Sequence, residues 1–305
     1  MPKLRTWFSG VLETQTALHV GTGTVTSTVT DAPILRGADG LPLIPGSSVK
    51  GALRSASERL LRALGHRACL VFGDQPPADD TLRCLTTDKA GRDLFFKLKG
   101  SDPLDEAELN EANRHFNPPP SWGQDWWRDF GQHEAWQKHL LEDRNALCRA
   151  CLTWGSPFMA GRARVPDLRL RGDGAWAQAT EIRDGVGLDR DTGTAADRIK
   201  FDLEALPAGA RFDFDLIAEP EADRAVVALA VGELLHGNVP LGGRTTGGLG
   251  QVALTGFAIH EVDLADPAAL VAYLTHGQRT SFAGQEAENR LETILATLLE
   301  DAHAA

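Results

Sequence analysis

"ARFDFDLIAEPEADRAVVALAVGELLHG", residues 210–237, decides the fold. Its first part alternates, with Phe212, Phe214 and Leu216 on one side and Arg211, Asp213 and Asp215 on the other, the period of two of a half-buried strand. From Glu221 the alternation gives way to a helical stretch, then a Gly-rich turn at 242–250, then a last strand in "GQVALTGFAIHEV". The N-terminal part repeats the grammar. Residues 4–14 set Leu4, Phe8 and Leu12 on one side with Gly10 between, as a strand would. "GSSVKGALRSASERLLRALG", residues 46–65, starts with a Ser cap and carries Val49, Leu53, Leu60 and Leu64 on one stripe of an amphipathic helix. Strand, helix, intervening strands, strand, helix, strand is the order of an α+β, ferredoxin-like (RRM-like) core over residues 1–65 and 152–263, a fold with an open sheet face suited to RNA.

Between the halves lies an insertion, residues 66–151, acidic, Trp-rich and broken by prolines ("FNPPPSWGQDWWRDFGQHEAWQ", 116–137), which predicts a helical lid. Trp122, Trp126, Trp127 and Trp136 either stack bases or form the insertion's own core. "RLETILATLLEDAHAA" closes a tail, 264–305, that reads as helical.

Of the 305 residues 42% are hydrophobic and 24% charged, a globular profile that excludes disordered and fibrous readings. The net charge of −11 excludes a broadly basic, nonspecific nucleic-acid binder, so any nucleic acid must meet a local basic strip. "MPKLRTWFSG" has no apolar run of signal-peptide length and no stretch has the roughly 18 apolar residues of a membrane span, so a cytoplasmic protein without membrane contact is expected.

There are four cysteines, Cys69, Cys84, Cys148 and Cys151, the last two forming a C-x-x-C in "LCRACL". That spacing turns two thiolates onto one metal, and structural zinc takes two further ligands from elsewhere. Cys69 and Cys84 complete the count, with His66, His115 and His139 as substitutes. The alternative is four buried apolar cysteines. Redox use is disfavoured, because no βαβ unit frames the pair.

Three loops carry polar groups suited to a polyanion. "LHVGTGTVTSTVTDAP" places His19 at its mouth and the lone carboxylate Asp31 at its end. His19 is a donor for phosphate or 2′-hydroxyl, or a satisfied strand-end histidine. Beyond it Ser47 and Ser48 open the predicted helix, and Lys50 and Arg54, four apart, share one helix face near a terminus that favours anions. "PLGGRTTGGLGQV" has five glycines between Gly242 and Gly250 around Arg244. A triphosphate loop would need G-K-[ST] opening a helix, whereas this run opens a strand and suits either an extended polynucleotide backbone or simple turns. "IRDGVGLDRDTGTAADRIKFDLEALPAGARF" predicts a hairpin with its turn at Asp191–Gly193.

Taken together, "GTG…DAPILRGADGLPLIPGSSVKGALR", "GVGLDRDTGTAADRIKFDLEALPAGARF" and "PLGGRTTGGLGQV", in this order, resemble the RAMP superfamily, specifically the backbone subunits of type III CRISPR effector complexes. The resemblance implies copies or homologues of the chain stacked along a CRISPR RNA beside other effector subunits. It implies that Ser47, Ser48, Lys50, Arg54, Gly243, Arg244, Gly247 and Gly248 hold the guide, and that His19 stands in the family's L-H-x-G motif. A thumb hairpin, here about 184–203, would wedge between guide and target RNA. In slicing members an aspartate just before the proline of the first loop is needed to cut target RNA, and Asp31 stands there. Zinc near the insertion is also a family trait. Such cleavage would be in-line attack of a 2′-hydroxyl in a distorted nucleotide, with Asp31 taking the proton or holding Mg2+ or another divalent cation.

Two further readings stand beside that one. Asp31 can be an Asx-type loop cap in a scaffold that only wraps and spaces the guide. A guide-processing nuclease relying on His19 would lack visible catalytic partners. The acidic balance and the large insertion also exceed what a minimal backbone subunit needs.

Overall fold

The computed structural model describes residues 3–21, 30–69, 84–143, 146–172, 179–188, 191 and 194–303. In chain order these hold β1 (Leu4–Thr14), β2 (Leu43–Ile44), α1 (Gly46–Ala63), α2 (Lys89–Gly100), α3 (Glu106–Phe116), the short helices α4 (Trp126–Asp129), α5 (Glu134–Lys138) and α6 (Arg149–Trp154), then β3 (Ala163–Arg164), β4 (Leu168–Arg169), β5 (Glu181–Leu188), β6 (Ala195–Ala205), β7 (Arg211–Ala218), α7 (Arg224–Leu235), β8 (Val252–Asp263), α8 (Pro267–His276), β9 (Thr280–Ala283) and α9 (Gln285–His303). They gather into two compact units, residues 1–56 with 163–299 and residues 57–162 with 300–305.

In the first unit five strands form one sheet in the order β3-β7-β1-β8-β9. β1 is antiparallel to both β7 and β8, and β3 is antiparallel to β7. Hence β1 and β3 run parallel with β7 between them, and β7 and β8 run parallel with β1 between them. These are two interlocked split β-α-β units, the ferredoxin-like strand order that the element sequence predicts. Alternation decides which face is buried: Phe8, Leu12, Phe212, Phe214 and Leu216 are at most 1% exposed. Val49 and Leu53 of α1 and Val226, Val227, Val231 and Leu234 of α7 are fully buried as well. The α1 stripe then continues through Ala56 and Leu61, while Leu64 is 40% exposed. Leu60, only half-buried, and Leu64 are therefore not core residues, and the buried face turns towards Ser57 and Leu61 instead.

The start of α1 also differs from the expected Ser cap. The first helical N–H, that of Gly46, donates to Oδ1 of Asp167 at 2.8 Å, so a distant carboxylate supplies the cap. Gly46 is held so closely that a Cβ there would lie 2.0 Å from the carbonyl oxygen of Val165.

The other sheet face is covered at its Trp7 end, while Asp213 and Asp215 stay exposed. Trp7 lies there under Tyr273 of α8, with ring centroids 5.5 Å apart, and the Arg279 guanidinium sits 4.1 Å from the Trp7 ring centre. Asp213 and Asp215 share this face, an acidic lining that repels phosphate. Burial, with Asp213 adding to it, raises the Asp215 carboxyl above its usual range despite the opposing charge of Arg279. The tail that covers this face is not purely helical: β9 pairs with β8 and extends the sheet. Its four residues, Thr280–Ala283, are too short for a period of two to stand out in sequence.

β5 and β6 form a separate two-stranded antiparallel hairpin, paired from Glu181↔Ala205 to Leu188↔Ala195. Most of its tip, including Gly193 of the expected turn, lies outside the described residues, as do residues 22–29 of the first loop.

The second unit is built on aromatic packing. Phe95 meets Phe116, Phe130 and Phe158 edge to face at centroid distances of 5.1–6.3 Å. Trp126 is 2% exposed and its indole N–H donates to Asn113 at 2.9 Å. Trp122 stacks on Trp136 at 4.7 Å and 13°, and Trp127 lies under Arg128. The indoles thus pack within the insertion, the second of the two uses open to them.

Two glycines of α1 separate close packing from flexibility. Gly46→Ala should lower stability by about 1–3 kcal/mol because backbone must shift. Gly51→Ala, with nothing within 4 Å of the added carbon, should raise it by about 0.5–1 kcal/mol. Denaturant midpoints of the two variants beside the wild type check both signs.

Candidate functional site

Residues 30–36 lie along β6 as an extra strand-like segment. Ala32 and Leu203 form a parallel bridge, and the Glu204 N–H donates to the Ala32 carbonyl at 2.9 Å. Two carboxylates on the same side of β6 complete the attachment. Oδ1 of Asp202 accepts the Asp31 N–H at 2.7 Å and the Thr30 hydroxyl at 2.8 Å. Glu204 accepts the Ile34 N–H at 3.0 Å, Arg36 at 2.6 Å and the Thr180 hydroxyl at 2.7 Å. Burial alone would raise the Glu204 carboxyl, but these bonds outweigh it and hold the group below the usual carboxylate range.

Asp31 is exposed, and its Oδ2 accepts the backbone N–H of Asp202 at 3.1 Å. Aspartates 31 and 202 therefore each accept the other's main-chain N–H. His19 is half-buried, and Nδ1 donates to the Glu204 carbonyl at 2.7 Å. That bond puts the proton of the neutral ring on Nδ1, so Nε2 has acceptor character. His19 is thus both a satisfied strand-end histidine and a ring whose second nitrogen faces Gly21, where a Cβ would approach it to 3.0 Å.

The Gly-rich loop closes on the same place. The Gly243 N–H donates to the His19 carbonyl at 2.9 Å, and a Cβ on Gly242 would lie 2.2 Å from that oxygen. Arg244, a non-glycine at φ +57°, holds its guanidinium 4.0 Å from the Phe201 ring centre. A left-handed arginine costs about 1 kcal/mol, and such strain concentrates at functional positions. Gly247 and Gly248 have open space where a Cβ would stand. Beside them Arg183, Asp184, Phe201, Leu203 and Thr246 help to line a cavity of about 330 Å³.

The structure therefore brings His19, Asp31, Gly243 and Arg244 together against β6. Ser47, Ser48, Lys50 and Arg54 stand on the first three turns of α1 instead. Lys50 is half-buried, and burial, then the charge of Arg54, lowers its ammonium pKa. The two cations are close enough to repel, which an anion between them relieves. Asp202, Glu204 and Phe201 were missed in sequence, although the spacing of "FDLE" does put the two acids on one side of a strand.

In the second unit Cys69, Cys84, Cys148 and Cys151 are all buried, with their sulfurs within 4.8 Å of one another. Individual separations are 3.3 Å for 69–151, 3.7 Å for 148–69 and 3.8 Å for 84–151. Four sulfurs about 2.3 Å from a tetrahedral zinc stand roughly 3.8 Å apart. The donor set fits structural zinc, with no histidine needed: His115 pairs with Asp88 and His139 packs on Trp122. The Thr86 hydroxyl lies 3.3 Å from Cys151 Sγ, as outer-sphere partners of metal thiolates do. Bonds from Cys148 push the Cys69 thiol up and hold the Cys84 thiol down, the unequal sharing expected of crowded thiols that a divalent cation evens out.

No described helix is long and apolar enough to cross a membrane. The sequence matches the RAMP superfamily over residues 11–116 and 125–253. Comparison with curated proteins gives no match.

The protein as purified should carry one zinc per chain by elemental analysis. Cys84→Ser together with Cys148→Ser should abolish that zinc and lower the melting temperature by several degrees or more. Zinc-free wild-type protein of unchanged stability would show four apolar cysteines instead.

Proposed function

The chain belongs to the RAMP superfamily, which implies a Cas protein that binds CRISPR RNA, and from that premise we propose that it is a backbone subunit of a type III effector complex whose Asp31 cuts guide-paired target RNA. The observation that carries the reading is the meeting of Asp31, His19 and Arg244 on the hairpin strand β6, beside the Arg183–Phe201–Arg244 cavity. Arg183 and Arg244 supply phosphate contacts in a chain that is acidic elsewhere, and the open space at Gly247 and Gly248 admits a backbone. Lys50 and Arg54 of α1 offer a second pair of cations for the guide backbone.

An A-form duplex keeps each 2′-hydroxyl out of line with its phosphate, so strand cleavage begins with a nucleotide displaced from the stack. The β5–β6 hairpin is the element suited to displace it, and Asp31 lies against that hairpin, exposed at its return strand. The Asp31 carboxylate takes the 2′-hydroxyl proton or holds a divalent cation. Magnesium, when bound, supplies charge stabilisation at the phosphate. In this reading His19 Nε2, the acceptor of the neutral ring, takes a hydrogen bond from a ribose 2′-hydroxyl. Sequence choice rests with base pairing to the guide, since the site offers mainly contacts to phosphate and sugar.

One observation favours the scaffold reading. The Asp31 carboxylate already accepts the Asp202 N–H, which is what a loop fastener does. The two readings part on chemistry. In the reconstituted guide-loaded complex with magnesium, Asp31→Ala should slow target cutting by about 100-fold or more while target binding persists. Wild-type complex that binds target but never cuts, or a mutant that cuts equally well, leaves the scaffold.

Guide binding tests the strip separately. Lys50→Ala or Arg244→Ala should weaken guide affinity and reduce the salt slope by about 0.7 for each phosphate of single-stranded RNA that the variant no longer neutralises. Titrations between 50 and 300 mM salt read that slope, and an unchanged slope removes the residue from the strip.

A further inference from the structure

We propose that Asp202 is a positioning residue, through which the hairpin strand sets the direction of the Asp31 carboxylate. The inference rests on the reading of Asp31 as the cleaving residue, and adds to it a mechanical link between hairpin and chemistry. The Asp31 side chain is exposed, with little packing among the described residues to hold one rotamer. What holds it is the pair of reciprocal bonds to a single residue, 171 positions away in sequence.

The geometry of that pair is specific. One oxygen of Asp202 binds both the Asp31 N–H and the Thr30 hydroxyl, which fixes the backbone leading into the Asp31 Cα. The Asp202 N–H then binds Oδ2 of Asp31, which orients the carboxylate itself. The bridge at Ala32–Leu203 and the Glu204–Ile34 bond continue the attachment, so the loop is stitched to β6 from Thr30 to Ile34. Glu204 meets Arg36 and Thr180 and serves the fold. Asp202 is different, because one of its carboxylate oxygens holds both Asp31 and the residue before it. A shift of β6, as when RNA engages the hairpin, therefore moves Asp31 with it. Misplacement of a reacting group by about 1 Å costs on the order of 100-fold in rate, so this stitch is enough to make cutting depend on hairpin position.

The test uses the guide-loaded complex with Asp202→Ala and Asp202→Asn, followed by cleavage under single-turnover conditions, target affinity, and amide hydrogen exchange of residues 30–34. Asn keeps an oxygen for Thr30 and Asp31 but has no charge. The expected result is that Ala slows cutting of bound target 10- to 100-fold at unchanged target affinity and speeds exchange at 30–34, whereas exchange in β1 and β7 stays as in the wild type. Asn should restore both cutting and protection to within a few-fold. Thr30→Val, which removes one donor to the same oxygen and preserves shape, should fall between and serves if Ala does not fold. Ala that cuts at the wild-type rate overturns the proposal. So does Asn as slow as Ala with protected amides, because the charge would then be acting directly. If the wild type does not cut, the cleavage reading falls by itself and exchange decides the link: unchanged exchange in Ala overturns it.

Discussion

A carboxylate taken out of water costs several kcal/mol unless its oxygens find donors. Glu204 shows what the site makes of that constraint. Its buried oxygens are filled by one backbone N–H, one hydroxyl and one guanidinium, drawn from Ile34, Thr180 and Arg36. Its own carbonyl takes the His19 ring. One residue of β6 thus ties together the first loop and the approach to the hairpin through its carboxylate, and the histidine through its carbonyl. Asp202, two residues earlier and less buried, repeats the device at the exposed end of the same strand. The part nearer the core is stabilised by burial and charge, and the part nearer solvent is held by fewer bonds, which leaves it the more responsive of the two.

Glycines set the second constraint. The loop after α7 bonds the backbone of residues 17–19, and a side chain at Gly242 would collide with the His19 carbonyl, one at Gly250 with the Leu241 carbonyl across the loop itself. Gly247 and Gly248 face no such neighbour. The five glycines of this run thus divide by cause. Gly242 and Gly250 let the protein approach itself, while Gly248, with open space around it, answers to its left-handed φ of +89°.

Much of this was legible in sequence where the physics is local. Strict alternation in residues 211–216 gave β7 and its buried face, and the order of elements gave the sheet. The four cysteines could be counted as one site because zinc imposes a number, although the spacing alone did not choose between cysteine and histidine. What failed was non-local. The cap of α1 comes from Asp167, the cover over Trp7 from α8 and Arg279, and the partner of Asp31 from the far strand of a hairpin. No periodicity encodes such meetings, because each depends on where the chain returns after a hundred residues or more. The reading of Asp31 as a lone acid was correct for its neighbourhood in sequence and incomplete for its neighbourhood in space.

The sheet ends in β3, two residues long, on one side and in β9, four residues long, on the other. A long bare edge is a template onto which a foreign strand can add, and short terminal strands deny it that length. For a protein proposed to work in line with copies of itself, the matter goes beyond solubility. Neighbours brought close by a shared polymer are at high local concentration, the condition under which unpaired edges fuse. With both margins clipped, contact between neighbours falls to side chains and loops, which can be reversed and replaced by selection one residue at a time. The brevity of β9 thereby keeps an array of such chains a set of separate molecules.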